Sequence, residues 1–235
     1  MFFVGTSGGP GRGLLAALLL TGVILLGVFL TFGVSRLLSG TLLRGVPSSF
    51  TLELPPYRRP RIGQVVVRSV LDRTLFVLGR AAAVAAPAGL LIWLCANVQV
   101  GGDSILNWCT GFLDPFARLL GLDGVILMAF LLGFPANEIV IPIIIMAYLS
   151  TGSLLEFDSL DALRQLLVDH GWTWLTAVCT MLFSLMHWPC STTLLTIRKE
   201  TGSWKWTAAA CLVPAFWGLA FCFLIASCAR LFGLL

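Results

Sequence analysis

Charged residues are scarce in this chain. Only 11% of its 235 residues are Asp, Glu, Lys or Arg, whereas 58% are hydrophobic. A soluble domain of this size cannot bury so large an apolar fraction, so the composition excludes a soluble globular protein and predicts an integral membrane protein. The net charge of +4 is small, and the basic residues adjoin apolar runs. This arrangement favours contact with membrane lipid headgroups and gives no basis for nucleic-acid binding.

Several motifs of enzymes and metal proteins are also missing. No two of the seven cysteines form a CxxC pair, which argues against a zinc ribbon and a thioredoxin-like site. The glycine-rich segment 5–13 lacks the GK[ST] of a P-loop, and neither histidine belongs to an HExxH motif. The sequence therefore predicts no enzymatic activity in this chain and no permanently bound cofactor. Residues 1–13 are expected to be a disordered N-terminus.

The first half of the chain contains one long apolar run and a polar linker. Residues 14–38 are long enough to cross a bilayer as the first transmembrane helix. The linker, 39–80, contains the motif ELPPYR. Its second part, 62–80, carries basic residues on one face and aliphatic residues on the other, which predicts an amphipathic helix in the membrane interface. A soluble packing helix is the alternative.

The second half, 81–235, is predicted to be a transmembrane domain. Residues 81–98 read as a span, and 101–123 are too polar to cross and predict a short interfacial helix. The apolar run 124–150 is interrupted, and a last span ends near Arg230. The predicted fold class is therefore an all-α integral membrane protein. It has about four transmembrane helices, interrupted or re-entrant segments and one interfacial amphipathic helix.

The distribution of basic residues leaves two topologies open. Seven arginines between 44 and 80 place the linker in the cytoplasm, because Lys and Arg concentrate on that side. If 124–150 crosses fully, Arg198, Lys199 and Lys205 lie outside. If it is a re-entrant hairpin with its tip near Pro135, those three residues lie inside and the acidic segment 151–171 lies outside.

A carboxylate lies in the middle of the interrupted run. A charge at membrane depth is costly, so Glu138 indicates a functional site. Gly133 and Pro135 break the helix before it, and Pro142 deprives the Glu138 carbonyl of its helical partner. Asn137 adds an amide oxygen. Irregular backbone with free oxygens is how transporters often bind cations, so the segment predicts a cation site. The alternative is that Glu138 pairs structurally with a neighbouring helix.

A second candidate site is the motif HWPCSTT at 187–193. Pro189 breaks the preceding apolar run, and Cys190 then begins a half-helix with Ser191 or Thr192 as its cap. A helix N-terminus favours the thiolate, and thiolate and the His187 imidazole both suit a transition metal. The same helix terminus repels a cation, so the thiolate must outweigh it. The alternatives are a packing thiol and an interfacial histidine.

Three motifs together resemble one family. ELPPYRRPR (53–61), GFPANEIVIPI (133–143) and PCSTTLLTIRKETGSWKW (189–206) are similar, in order and spacing, to the C-terminal membrane half of the FeoB family of bacterial ferrous-iron transporters. The resemblance runs from about residue 15 to the C-terminus. It implies a Gate domain of the nucleoside-transporter type over 81–235. It also implies Fe²⁺ uptake across the cytoplasmic (inner) membrane of a bacterium.

The resemblance also implies ligands and partners. Glu138, Asn137 and Cys190 would line the Fe²⁺ path, and His187 departs from the family, in which that position is more often aromatic. The chain has no G domain and no first Gate half, so separate chains that supply them, or a homo-oligomer, are the expected partners. Two other functions stay open: a Gate-fold transporter of another, nucleoside-like solute, and a non-transporting membrane scaffold. A thiol near a carboxylate favours the metal.

Overall fold

The computed structural model describes residues 10–41, 62–68, 74–150 and 159–233. These residues are almost entirely helical, apart from a pair of two-residue strands, β1 (Gln99–Val100) and β2 (Asp103–Ser104). Three helical stretches are long and apolar enough to cross a membrane: Gly13–Gly40, Trp174–Thr201 and Trp204–Leu231. A bent pair, Ile105–Leu119 with Gly124–Leu132, would make a fourth. The predicted all-α membrane fold is confirmed.

The chain divides into two compact units. The smaller is Leu18–Arg80, and the larger combines Met1–Ala17 with Ala81–Leu235. Helix α1 (Pro10–Thr41) begins before the predicted start at Leu14 and ends after Leu38. Residues 1–9 and the ELPPYR motif lie outside the described residues, as does most of the linker.

The predicted interfacial helix over 62–80 is described only in part. Helix α2 is Ile62–Arg68, and residues 69–73 are outside the described part. Residues 76–80 belong instead to α3 (Phe76–Asn97), which continues into the apolar stretch Ala81–Asn97. The end of the predicted interfacial helix is therefore part of α3, and an apolar stretch of α3 covers most of the predicted span 81–98.

The interrupted run folds into a hairpin. Helix α4 (Ile105–Leu119) is the predicted short helix, and it packs against α5 (Gly124–Leu132). A turn and a short 3-10 helix, Asn137–Ile139, lead to α6 (Val140–Tyr148), which packs back on α5. Each arm has nine residues and rises only about 14 Å, too little to cross a bilayer. The arms are mostly buried because they form the centre of the hydrophobic core.

Two contacts fix the direction of the hairpin arms. The hydroxyl of Tyr148, the last residue of α6, donates to the carboxylate of Asp123, which caps the start of α5. In one straight helix these residues, 25 apart, would be separated by about 37 Å. At the other end, a Cβ on Gly133 would lie 2.5 Å from a Val140 methyl group, so glycine permits the close turn. The two ends of the segment therefore lie on one side, as in the re-entrant alternative.

Four helices follow the hairpin in the described part of the chain. Helix α7 (Leu160–Asp169) precedes α8 (Trp174–Met186), which ends before the motif HWPC. Helix α9 (Ser191–Thr201) follows, and α10 (Trp204–Leu231) runs back along both α9 and α8. The close approach of Gly218 to Met186 and of Cys222 to Cys179 shows that α10 is antiparallel to α8. Helices α8 and α9 thus form one span with a break near its middle.

Candidate metal site

The two breaks that the sequence singles out meet in the structure. The backbone N–H of Ser191, the first residue of α9, donates to the carbonyl of Phe134 at the hairpin tip over 3.0 Å. The Ser191 hydroxyl lies 3.5 Å from the Pro135 carbonyl oxygen. Ser191 is buried, so this contact between polar backbone groups is shielded from solvent. The hairpin tip therefore docks on the break between α8 and α9.

The helix lengths place this junction at intermediate depth. Helix α8 has 13 residues and α9 has 11, which correspond to about 20 Å and 16 Å. At the far end of α8, the Trp172 indole donates to the Tyr148 hydroxyl at the hairpin mouth over 2.7 Å. The mouth thus lies beside the start of α8 and the tip beside its end. The junction is then about midway along the broken span, where transporters of several folds bind their substrates.

Cys190 occupies the N-cap position of α9, which the sequence had assigned to Ser191 or Thr192. Its thiol makes no capping hydrogen bond and instead lies 3.2 Å from the Thr192 hydroxyl and 3.1 Å from the Thr193 hydroxyl. Hydroxyl donors and the positive end of the helix both stabilise a negative sulfur. The Cys190 side chain is half-buried, so an ion that reaches the junction can approach it.

Asn137 and Glu138 lie just beyond the hairpin tip, in the 3-10 helix before α6. Both residues are exposed, and within the described part of the chain neither side chain has a hydrogen-bond or ion-pair partner. This disfavours the structural pairing of Glu138 with a neighbouring helix. Their oxygens are free to bind a cation.

Three of the four predicted helix breakers lie at helix ends or between helices, and the fourth lies inside a helix. Gly133 is the C-cap of α5, Pro135 lies in the turn, and Pro189 lies between α8 and α9. Pro142, by contrast, falls in the first turn of α6, where a helix tolerates proline without a break. The irregular backbone before Glu138 is therefore produced by the turn over 133–136, and Pro142 is compatible with the helix that follows.

His187 lies just after α8, in an aromatic cluster. Its ring is 5.1 Å from Phe130 and 6.2 Å from Phe183, measured between centroids. Its Nδ1 lies 2.8 Å from the Ser184 carbonyl, so Nδ1 carries the proton and Nε2 keeps a lone pair. That tautomer is the one that second-shell carbonyls impose on metal-binding histidines. Nε2 is buried and has no partner within the described residues.

These candidates do not form one coordination shell. Within the described residues, no three His, Cys, Asp or Glu side chains lie close enough to hold a metal ion together. The structure joins the two motifs at their backbones, through Phe134, Pro135 and Ser191, and brings His187 against Phe130 of the hairpin. Any ion at the junction would depend on a few side chains, backbone carbonyls and water. Such weak coordination suits a path more than a storage site.

Sequence reasoning missed the hydrogen-bonded chain at the hairpin mouth. Asp123 accepts from the Ile126 N–H over 2.6 Å and from Tyr148, which in turn accepts from Trp172. Asp123 directly before an apolar run is a readable N-cap signal. Its hydrogen bond with Tyr148, and the bond from Trp172 to Tyr148, depend on the fold and leave no local pattern.

Comparison with known proteins identifies the family. Residues 78–204 match the family model Gate, described as nucleoside recognition, and residues 20–72 match the model for the C terminus of ferrous iron transport protein B. The Fe(2+) transporter FeoB of Staphylococcus aureus (strain MSSA476) is 30% identical over 208 residues, which cover 84% of this chain and 29% of that protein.

Two further relatives come from distant organisms. The Fe(2+) transporter FeoB of Methanocaldococcus jannaschii is 27% identical over 80% of this chain and 30% of its own length. An Fe(2+) transport protein A/Fe(2+) transporter FeoB fusion protein of Porphyromonas gingivalis is 24% identical over 81% of this chain and 28% of its own length. No solved structure matched. The chain spans less than a third of each of these relatives, and it belongs to the Gate family, as the counterpart of the C-terminal membrane half of FeoB.

Proposed function

We propose that this chain forms part of the Fe²⁺ path of a ferrous-iron transporter in a cytoplasmic membrane. The observation that carries the proposal is the docking of the hairpin tip on the break before Cys190, at intermediate depth in the membrane domain. The two discontinuous segments that meet in this way carry the Cys190 thiol and the Glu138 carboxylate. A thiol in such a site favours a transition metal over a nucleoside, which needs hydrogen-bonding and stacking groups.

Each ligand would have a separate role along this path. Glu138 and Asn137, which are exposed beside the tip, would attract Fe²⁺ and replace part of its water shell with oxygen ligands. Cys190 would then bind the ion as a thiolate, a softer ligand that favours Fe²⁺ over Mg²⁺ and Ca²⁺. His187, whose Nε2 is buried without a partner within the described residues, would add a ligand when the aromatic cluster around it opens.

The proposed path is incomplete within one chain. Transporters with broken helices usually place their site between two repeats, and the described residues contain no cluster of three metal-binding side chains. We propose that a first Gate half, or a second copy of this chain, supplies further ligands, and that a G domain supplies regulation. One relative is a fusion of Fe(2+) transport protein A with FeoB, which supports the association of the transporter with a further component in that organism. Liposomes that contain only crosslink-verified monomers of this chain should show no ⁵⁵Fe flux.

The function is tested by exchanging one atom at Cys190. Cys190→Ser keeps the shape but loses the thiolate, so ⁵⁵Fe²⁺ uptake by the assembled transporter should fall at least about tenfold, the effect of losing roughly 1.4 kcal/mol of binding in the path. The matched control is Cys228→Ser on the exposed face of α10, which should transport normally. Anaerobic Fe²⁺ should also slow alkylation of Cys190. Normal transport by Cys190→Ser, with alkylation unaffected by Fe²⁺, would show that Cys190 is a packing residue.

A further inference from the structure

A polar cavity lies away from the junction, at the mouth side of the hairpin. Its volume is about 210 Å³, enough for several water molecules. Its walls come from four places: the end of α3, the β1–β2 turn, the start of α4 and the end of α6. The polar side chains that line it are those of Gln99, Asp103, Ser104, Asn107 and Ser150.

The cavity lies on the side of the membrane domain opposite Arg198 and Lys199. Its walls include Met146, Ala147 and Ser150, at the end of α6, and this end lies beside the start of α8 through the Tyr148–Trp172 contact. Helix α9 continues the broken span away from that level and carries Arg198 and Lys199 in its last turn. In the topology in which Arg198 and Lys199 are cytoplasmic, as the re-entrant hairpin implies, the cavity faces the outside.

The turn that carries the carboxylate is rigidly built. Gly101 and Gly102 have φ values of 69° and 99°, which glycine adopts readily and other residues do not. The Trp108 indole donates to the Val100 carbonyl over 3.2 Å and ties the turn to α4. Asp103 is exposed and has no hydrogen-bond or ion-pair partner within the described residues. Its charge also offsets the positive start of α4, which alone would repel a cation.

We propose that this cavity is an outer capture site for a hydrated divalent cation, with Asp103 as its charged ligand. Carboxylate, amide and hydroxyl oxygens are ligands that hard divalent cations accept, and a cavity of this size lets the ion keep much of its water. The site therefore concentrates divalent ions of several kinds beside the hairpin mouth. The Cys190 thiol at the junction then selects Fe²⁺ among them. The inference rests on the proposed function for its role in transport.

Transport kinetics test that role. Asp103→Asn keeps the shape and removes the charge, so the half-saturating Fe²⁺ concentration for ⁵⁵Fe uptake by the assembled transporter should rise about tenfold. Asp103→Asn should alter the half-saturating Fe²⁺ concentration more than the maximal rate of uptake. Calcium should compete with Fe²⁺ in the wild type and lose most of its effect in the variant. Asp169→Asn is the matched control, because Asp169 is an exposed acid near the hairpin mouth that does not line the cavity.

Binding of Mn²⁺ tests the site independently of transport. The purified full chain carrying Cys190→Ser and Glu138→Gln, which remove the two charged ligands proposed at the junction, should remove hexaaqua Mn²⁺ from solution, as measured by electron paramagnetic resonance. The further change Asp103→Asn should abolish this. Equal Mn²⁺ binding with and without Asp103 would overturn the inference, and so would an equal rise in half-saturation for Asp169→Asn. If the assembled wild-type transporter takes up no ⁵⁵Fe²⁺ but the chain still binds Mn²⁺ in a way that depends on Asp103, the proposed function is rejected and the cation site stands.

Discussion

At the scale of single residues, the chemistry is concentrated in a few polar groups that have no structural partner. Glu138 and Asn137 are exposed without hydrogen bonds, and the Nε2 atom of His187 is buried without one, all within the described part of the chain. For the buried Nε2 of His187, the lack of a partner reduces stability, because its desolvation is not compensated. Under the proposed function, these groups would be the ligands of an ion that passes the junction.

Glu138→Gln tests the carboxylate at this scale. The amide keeps the size of the side chain and loses its charge, so the attraction for a divalent cation falls and ⁵⁵Fe uptake should drop at least about tenfold. Because Glu138 has no partner within the described residues, the thermal stability in detergent should stay the same. Glu200→Gln, on the exposed last turns of α9, is the matched control and should transport normally. Wild-type uptake by a well-expressed Glu138→Gln variant would remove Glu138 from the path.

At the scale of the elements, the hairpin depends on contacts at both of its ends. The tip is held by Ser191, and the mouth is held by the chain of hydrogen bonds from Asp123 through Tyr148 to Trp172. His170 stacks on Tyr148, with ring centroids 4.4 Å apart, and covers this chain. The mouth contacts therefore fix how deep the tip lies relative to Cys190.

Tyr148→Phe should loosen the mouth of the hairpin. The change removes one hydroxyl that donates to Asp123 and accepts from Trp172, so the unfolding free energy should fall by about 1–3 kcal/mol. Thermal unfolding of the purified chain in detergent measures the loss. Trp172→Phe combined with Tyr148→Phe should cost less than the sum of the two single changes, because both remove the same bond. Strict additivity would show that the two residues act independently.

At the scale of the whole membrane domain, the hairpin determines the topology of everything after it. Because 124–150 enters and leaves on one side, the broken span Trp174–Thr201 brings Arg198, Lys199 and Lys205 to the other side. That placement agrees with the concentration of basic residues in the cytoplasm. The Arg198 guanidinium lies 3.6 Å from the centroid of the Trp204 ring, a cation–π contact typical of a membrane-interface anchor.

Cysteine labelling tests this topology. In a background without native cysteines, a cysteine at position 159 should react with an impermeant maleimide added outside intact cells. A cysteine at position 203 should react only after the membrane is permeabilised. Both positions should label in permeabilised cells, which controls for access. Labelling at 203 and protection at 159 in intact cells would mean that 124–150 crosses the bilayer.

The sequence alone determined the membrane class, the helical fold, the two broken segments and the family. These depend on local signals: long apolar runs, Gly133, Pro135 and Pro189 as breakers, and short motifs whose spacing is readable. Only the tertiary structure decided between a crossing segment and a hairpin, placed Cys190 at the N-cap, and joined Phe134 to Ser191. It also gathered Asp123, Tyr148 and Trp172 from distant positions. The physical reason is that hydropathy reports the depth of a segment in the membrane, whereas pairings between distant polar groups depend on how the helices pack.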